Sequence, residues 1–311
     1  MTSSNSAREP AHRTAGGGLS AYSAPLDPVR VRLEIAYDGT DFSGWAMQPD
    51  RRTVCGELTD ALAMILRTPV RLTVAGRTDA GVHATGQVAH VDLERAVWEQ
   101  HRERLVRRLA GVLDPDVRVL AVSEAPADFD ARFSGLSRSY EYRISDQPWG
   151  VDPLRRRDVI AWPRPLDTAR MQAAADDLLG LHDFAAYCRR RPDASTIRTL
   201  LRCDWGRGAD GLVVGSVTAD AFCHSMVRSL VGGLLAVGDG SAPVDLPREL
   251  LRESERSSRI TVAPAKGLTL VGVDYPPDEQ LAARNEITRG RRDLEHRDGP
   301  ASGADSSATP S

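Results

Sequence analysis

The stretch Val29-Arg30-Val31-Arg32-Leu33-Glu34-Ile35-Ala36-Tyr37 decides the class of fold. Its odd-numbered positions are apolar or aromatic, and Arg30, Arg32 and Glu34 stand between them. That period of two marks a strand with one buried face. A turn follows at Asp38-Gly39-Thr40-Asp41, and the periodicity then lengthens. From about 55 to 67, Leu58, Ala61, Leu62, Ile65 and Leu66 fall along one stripe of a helix. The same reading predicts strands at 70–75, 87–93, 116–123 and 138–145, with a helix near 98–112. The second half repeats the alternation: a helix over 167–179, strands at 196–205 and 211–218, a helix over 224–237 and a closing strand from Leu268 to Tyr275.

Two successive α+β units with little linker between them predict a pseudo-repeat, forming one sheet or two abutting sheets. A cleft between the units is a natural place for a site. The units are expected at 29–150 and 151–276, dividing near 146–166, where Pro148, Pro153, Pro163 and Pro165 cluster. Residues 1–28 are rich in Ser, Ala, Gly and Pro, and 277–311 are charged and then rich in Ser, Ala and Gly. Both are expected to be disordered tails, with too little apolar surface to offset the entropy of folding.

Composition narrows the classes of function. No apolar run approaches the roughly 20 residues that span a bilayer, and no apolar segment follows a basic start as in a secretory signal. A cytoplasmic protein is expected, without a membrane partner. Cys55, Cys188, Cys203 and Cys223 are far apart and show no CxxC pairing, which argues against a zinc site or a disulfide framework. They read as reduced, small apolar residues. The net charge of −3 announces no nucleic-acid binder, but of the 40 basic residues only Lys266 is a lysine. Arginine suits bidentate phosphate contact and stacking on bases. Clusters stand at Arg155-Arg156-Arg157 and Arg189-Arg190-Arg191, which equally fit solvated surface charge.

The candidate chemistry centres on Gly76-Arg77-Thr78-Asp79-Ala80-Gly81-Val82-His83. Two glycines bracket the aspartate, so the backbone can turn sharply and another molecule can approach closely. A carboxylate on such a loop can serve as nucleophile, general base or metal ligand. It can equally cap a short turn. His83, His90 and Asp92 make a poor metal set, because their spacing matches no familiar site.

The loop resembles the signature of the TruA family of tRNA pseudouridine synthases. Further segments are similar to that family in order and spacing: YDGTDFSGW (Tyr37 to Trp45), ARFSGLSRSYEYRI (Ala131 to Ile144), LLGLHDFAAYC (Leu178 to Cys188), FCHSMVRSLVGGLLAVG (Phe222 to Gly238) and APAKGLTLVGVDY (Ala263 to Tyr275). The resemblance covers about 29 to 275. It implies two fused ferredoxin- or RRM-like α+β units, with a mixed, mainly antiparallel sheet and a central catalytic cleft. It implies a homodimer that converts uridine to pseudouridine in the anticodon arm of tRNA, at tRNA positions 38, 39 and 40, with neither cofactor nor metal.

By the same resemblance Asp79 is the catalytic aspartate, Arg228 its charge partner, Tyr140 the ring packed on the target uracil and Arg77 a helper that holds the flipped-out base. Each role open to Asp79 needs its ionised form, and an opposing charge within about 4–6 Å maintains that form. Tyr142, two residues on and hence on the same strand face, is the rival platform. His182-Asp183-Phe184 reads as architectural, with Asp183 at a helix start. Asp38, Gly39 and Trp45 shape the edge of the site. The chain departs from the family at Ala46, Cys55 and Ala221, where glutamine, glutamine and glycine are usual. Two other readings compete: an RNA-binding protein without catalysis, and a metal-dependent hydrolase using Asp79 and His83.

Overall fold

The computed structural model describes residues 26–189 and 195–289; Arg190, Arg191 and the outermost residues, 1–25 and 290–311, lie outside that range. β1 (Pro28–Tyr37) buries Val29, Val31, Leu33, Ile35 and Tyr37, as its alternation predicts. α1 (Val54–Leu66) begins where the Thr53 hydroxyl accepts the Gly56 N–H at 3.2 Å and ends on Arg67 in a left-handed conformation. After β2 (Thr73–Val74) and β3 (His83–Glu94), the helix expected over 98–112 is two: α2 (Arg95–His101) and α3 (Leu105–Val112). Trp98 anchors the first, and Leu105 and Leu109 anchor the second. Between them Arg102, Glu103 and Arg104 offer no apolar side chain to bury. β4 (Val117–Ala125) completes this half.

β5 (Ser137–Ser145), β6 (Ile160–Ala161), α4 (Thr168–Asp176), β7 (Gly180–Asp183), β8 (Ile197–Arg207) and β9 (Val213–Ala219) follow. α5 (Met226–Gly238), α6 (Leu246–Leu250), β10 (Leu268–Asp274) and α7 (Leu281–Arg289) close the described chain.

Among the described residues there is one sheet, ordered β4-β1-β3-β10-β5-β9-β8-β7, with β2 also on β3 and β6 on β5. The order β4-β1-β3-β2 in the first half recurs as β10-β5-β9-β8 in the second, antiparallel throughout each. Both halves share the connectivity strand, helix, two strands, helix, strand, which is ferredoxin-like. By this connectivity β5 heads the second repeat, ahead of the proline-rich 146–166 stretch expected to divide the units.

The seam between the repeats is β10. β2 spans two residues and faces only Ala89 and His90, so the start of β3 is left open. Thr269 and Leu270 fill it, pairing in parallel with His83 and Ala84, while the other edge of β10 runs antiparallel to β5. The sheet is therefore mixed but mainly antiparallel, as expected.

One apolar core runs through both repeats and takes in nearly all of α5. A smaller cluster of Ala75, Val88, Phe129, Ala131 and Leu281 lies on the opposite face of the first-half sheet. There Val88 pairs with Glu34 across the ladder, and the Arg32 guanidinium sits 5.1 Å from the Tyr275 ring centre. Leu281 and Asn285 of α7 are buried beside this cluster, within the stretch expected to be tail from 277 onward. The apolar residues of α7 are too sparse for periodicity to announce a helix. No helix among the described residues is long and apolar enough to cross a membrane.

Candidate active site

The loop 76–82 enters β3 at the seam, and the first repeat grips it through its backbone. The Trp45 N–H donates to the Thr78 carbonyl at 3.1 Å, and the Gly81 N–H to the Phe42 carbonyl at 3.3 Å. Gly44 has φ of +92°, and a Cβ there would lie 2.8 Å from the Thr78 carbonyl oxygen, so only glycine fits. From below, the Tyr37 hydroxyl meets the Thr78 hydroxyl at 2.7 Å, and Gln87 Nε2 donates to the Gly76 carbonyl at 2.9 Å. Burial pushes the Tyr37 phenol up to about 12, against which the Thr78 and Gln87 hydrogen bonds pull. The segment Tyr37 to Trp45 thus cradles the aspartate loop.

Asp79 projects from this cradle and meets the start of α5, from the other repeat. Arg228 Nη1 lies 3.5 Å from Asp79 Oδ2, and the Ser225 hydroxyl donates to the same oxygen at 3.4 Å. His224 Nε2 lies 3.5 Å from Oδ1. Ser225 has φ of +65°, a conformation that costs a non-glycine residue about 1–3 kcal/mol and gathers at functional sites. As N-cap of α5 it makes no side-chain capping bond; its hydroxyl serves Asp79 instead. Arg228 is itself anchored: its Nε donates to the Ala263 carbonyl at 2.7 Å, and the Ala263 N–H donates to the Arg228 carbonyl at 3.0 Å.

Of the two tyrosines on β5, Tyr142 is wholly buried and donates its hydroxyl to the Pro264 carbonyl at 2.8 Å. Tyr140 is 8% exposed and packs edge-on against Phe222, with ring centres 5.3 Å apart. Its hydroxyl makes no hydrogen bond among the described residues, and burial, with lesser contributions from Tyr37 and Asp79, holds it in the neutral form. Tyr140 is thus the ring with a free polar end. Arg77 is exposed and forms no ion pair among the described residues, while its neighbour Thr78 is buried.

Residues that sequence reasoning considered as metal ligands are otherwise engaged. The Gly39 N–H donates to His83 Nδ1, so His83 Nε2 carries the proton shared with the Lys266 carbonyl. His90 Nδ1 accepts from the Ala131 N–H, and Asp92 pairs with Arg30 at 2.7 Å. No group of three or more His, Cys, Asp or Glu among the described residues is arranged to hold a metal.

Several features were not expected. Cys188 and Cys223, far apart in sequence, are brought side by side with Cα atoms 5.8 Å apart. The fold alone brings the turn before Arg189 against the approach to α5, so spacing could not show it. Asp183 ends the edge strand β7 and accepts the Ala185 N–H ahead of a single 3-10 turn, Ala185–Tyr187, where a helix start was expected. His224 and Ser225, inside the Phe222 to Gly238 segment, carry no sequence signal that sets them beside Asp79. Buried Arg138 also went unmarked; it donates to the carbonyls of Ala75, Arg132 and Asp220, tying the loop ahead of Gly76 to β5. In the first arginine cluster, Arg155 pairs with Asp158 and Arg157 with Asp38, so two of the three are structural ties.

Comparison with known proteins places these parts in context. A family model described as tRNA pseudouridine synthase matches residues 174–276. A tRNA pseudouridine synthase A of Frankia casuarinae is 60% identical over 265 residues, covering 85% of this chain and 96% of that protein. Those of Streptomyces avermitilis and Mycobacterium leprae are 55% and 54% identical, each aligned over 86% of this chain. A solved Cbf5-Nop10-Gar1 complex aligns over 66% of this chain and 45% of that one at 13% identity and a TM-score of 0.31, too loose to bear on the reading. Identity of 54–60% over 85–86% of this chain makes it a member of the tRNA pseudouridine synthase A family.

Proposed function

We propose that this enzyme isomerises uridines 38, 39 and 40 in the anticodon arm of tRNA, with Asp79 as the reacting carboxylate and without cofactor or metal. The observation that carries the role of Asp79 is its double hold on Oδ2, by Arg228 and by Ser225, at the seam between the repeats. The Arg228 guanidinium stands where it can offset negative charge on the carboxylate side of a bound base. The carboxylate acts on the ribose or the base, the bond between uracil N1 and C1′ breaks, the uracil turns, and C5 bonds to C1′. The proton on C5 then leaves and the freed N1 takes up a proton, so the nucleoside keeps its formula.

A base inside a stem must leave its stack first, at a cost of a few kcal/mol. Tyr140 offers its ring face and free hydroxyl to such a base, and exposed Arg77, on the same loop as Asp79, contacts the displaced backbone. The enzyme works as a homodimer in the cytoplasm, each tRNA held across both subunits. Shared binding gives a near-neutral chain a broader positive surface toward phosphate. The test uses unmodified tRNA tritiated at uracil C5, in buffer containing a chelator. Label is expected to be released by the wild type and not by Asp79→Asn, which should still fold and bind tRNA. Substantial release by Asp79→Asn would remove Asp79 from this role.

A further inference from the structure

Arg138, on β5, is buried, and each hydrogen bond of its guanidinium among the described residues goes to a backbone carbonyl. Nη1 donates to Asp220 at 3.0 Å and to Gly135 at 3.3 Å, and Nη2 to Arg132 at 2.7 Å and to Ala75 at 3.0 Å. Burying a cation among neutral acceptors is a costly way to join backbone. The placing of the carbonyls shows what that cost secures. Ala75 stands four residues ahead of Asp79, at the root of the loop 76–82. Asp220 follows β9 and leads through Phe222 to Ser225, the N-cap of α5. Arg138 itself lies two residues before Tyr140, on the same face of β5. These three segments meet again at the site, where Tyr140 packs on Phe222 and Ser225 donates to Asp79.

The fork has been given room. A Cβ on Gly135 would lie 2.8 Å from Arg138 Nη2 and 2.9 Å from Cζ and Nη1. Gly135 does not adopt a positive φ, so the guanidinium rather than the backbone is what opposes a side chain there. An ammonium has three donors and no plane, and does not reach four carbonyls set around such a fork.

We propose that Arg138 is a positioning residue for the uridine reaction, fixing the Asp79 loop, the Tyr140 strand and the connection into α5 relative to one another. This role rests on Asp79 being the reacting group and Tyr140 the base platform. A misplacement on the order of 1 Å, arising far from the chemistry, costs about 100-fold in rate. Losing one of the carbonyl ties lets the loop root or the connection drift, while the surface that meets tRNA keeps its side chains. The mark of this role is therefore a loss in kcat rather than in KM.

The experiment measures tritium release for Arg138→Lys, Gly135→Ala, Tyr140→Ala and the double variant Arg138→Lys with Tyr140→Ala. Rates are taken per folded molecule, the folded fraction being read from urea titrations. Arg138→Lys keeps the charge but not the fork. Its kcat is expected to fall about 30- to 100-fold, with KM for tRNA within about threefold of wild type. Gly135→Ala keeps every donor and presses on the guanidinium, so kcat should fall about tenfold; this variant decides the matter if Arg138→Lys does not fold. Because Arg138 acts through the place of Tyr140, the double variant should lose at least about fivefold less in kcat/KM than the product of the single losses. A merely structural role would leave kcat per folded molecule near the wild-type value. That result, single losses that multiply, or a loss confined to KM overturns the proposal. Turnover by Asp79→Asn would instead sink the reading of Asp79, so the two failures are distinguishable.

Discussion

Arg228 is bound more closely to Ala263 than to Asp79: its Nε donates to the Ala263 carbonyl at 2.7 Å, while Nη1 stands 3.5 Å from Asp79 Oδ2. One planar guanidinium thus spans a structural anchor and the reacting carboxylate. An ammonium cannot serve both at those separations. Arg228→Ala is expected to reduce kcat by about 100- to 1000-fold, the scale for removing a preorganised donor. Arg228→Lys should remain at least about tenfold impaired despite its charge. Rates of tritium release check both, and full rescue by lysine would show that charge alone matters.

The anchor depends on a close approach farther along α5. A Cβ on Gly232 would overlap the Thr261 carbonyl oxygen, two residues before Ala263. Gly232→Ala should destabilise the protein by about 1–3 kcal/mol, as overpacking does, and lower activity with it. At Gly233 a Cβ would meet only the Ile260 side chain, at 3.4 Å. Gly233→Ala should stay within about 1 kcal/mol of wild type. Urea unfolding midpoints separate the pair.

Tyr140 and Tyr142 invite a paired comparison. Tyr142→Phe removes the bond to the Pro264 carbonyl and should cost about 1 kcal/mol of stability while sparing turnover. Tyr140→Phe breaks no hydrogen bond and should leave stability within about 0.5 kcal/mol. Tyr140→Ala should lose at least about tenfold in kcat/KM through lost stacking on the base. If Tyr142→Phe carried the larger loss of turnover, the assignment of the platform would reverse.

Acid stability has a clear contributor in Asp146, which accepts two bonds from Arg207 at 2.7 Å and the Leu166 N–H at 2.9 Å. The Arg207 hydrogen bonds, foremost, hold its carboxyl below the usual carboxylate range. A depressed folded pKa contributes stability above the unfolded value of about 3.9 and loses it as pH falls through the folded value. Asp146→Asn should therefore cost about 1–2 kcal/mol at pH 7, the ion pair being discounted because Arg207 is more than a third exposed. The difference from wild type should shrink below about pH 4. Denaturant titrations at pH 7 and pH 3 make the comparison.

Legibility followed the range of each signal. β1 and α1 were readable because burial imposes a period on adjacent residues, and β5 and α5 for the same reason. The split at Arg102 to Arg104 and the two-residue β2 were not, since each depends on partners elsewhere. Asp79 could be noticed for its flanking glycines, yet local chemistry left it a turn residue as readily as a reactive one. Its partners lie more than a hundred residues away, and no spacing rule links them. Family motifs supplied Arg228 and Tyr140; His224 and Ser225 needed the geometry, because a left-handed serine before a helix has no signature in a string of letters.

Strand β10 also bears on the order of events during synthesis. The ribosome delivers the Asp79 loop early, but the strand that closes the seam beside it, Leu268–Asp274, comes almost at the end of the described chain. Ala263, which anchors Arg228, emerges only just before that strand. Until then the first repeat has an unpaired edge at the start of β3, and Arg228 lacks its anchor. A nascent chain consequently carries an open strand edge that invites wrong pairing, and cannot assemble the site on tRNA passing through the same ribosome. Competence arrives in one late step, when the last strand is laid in.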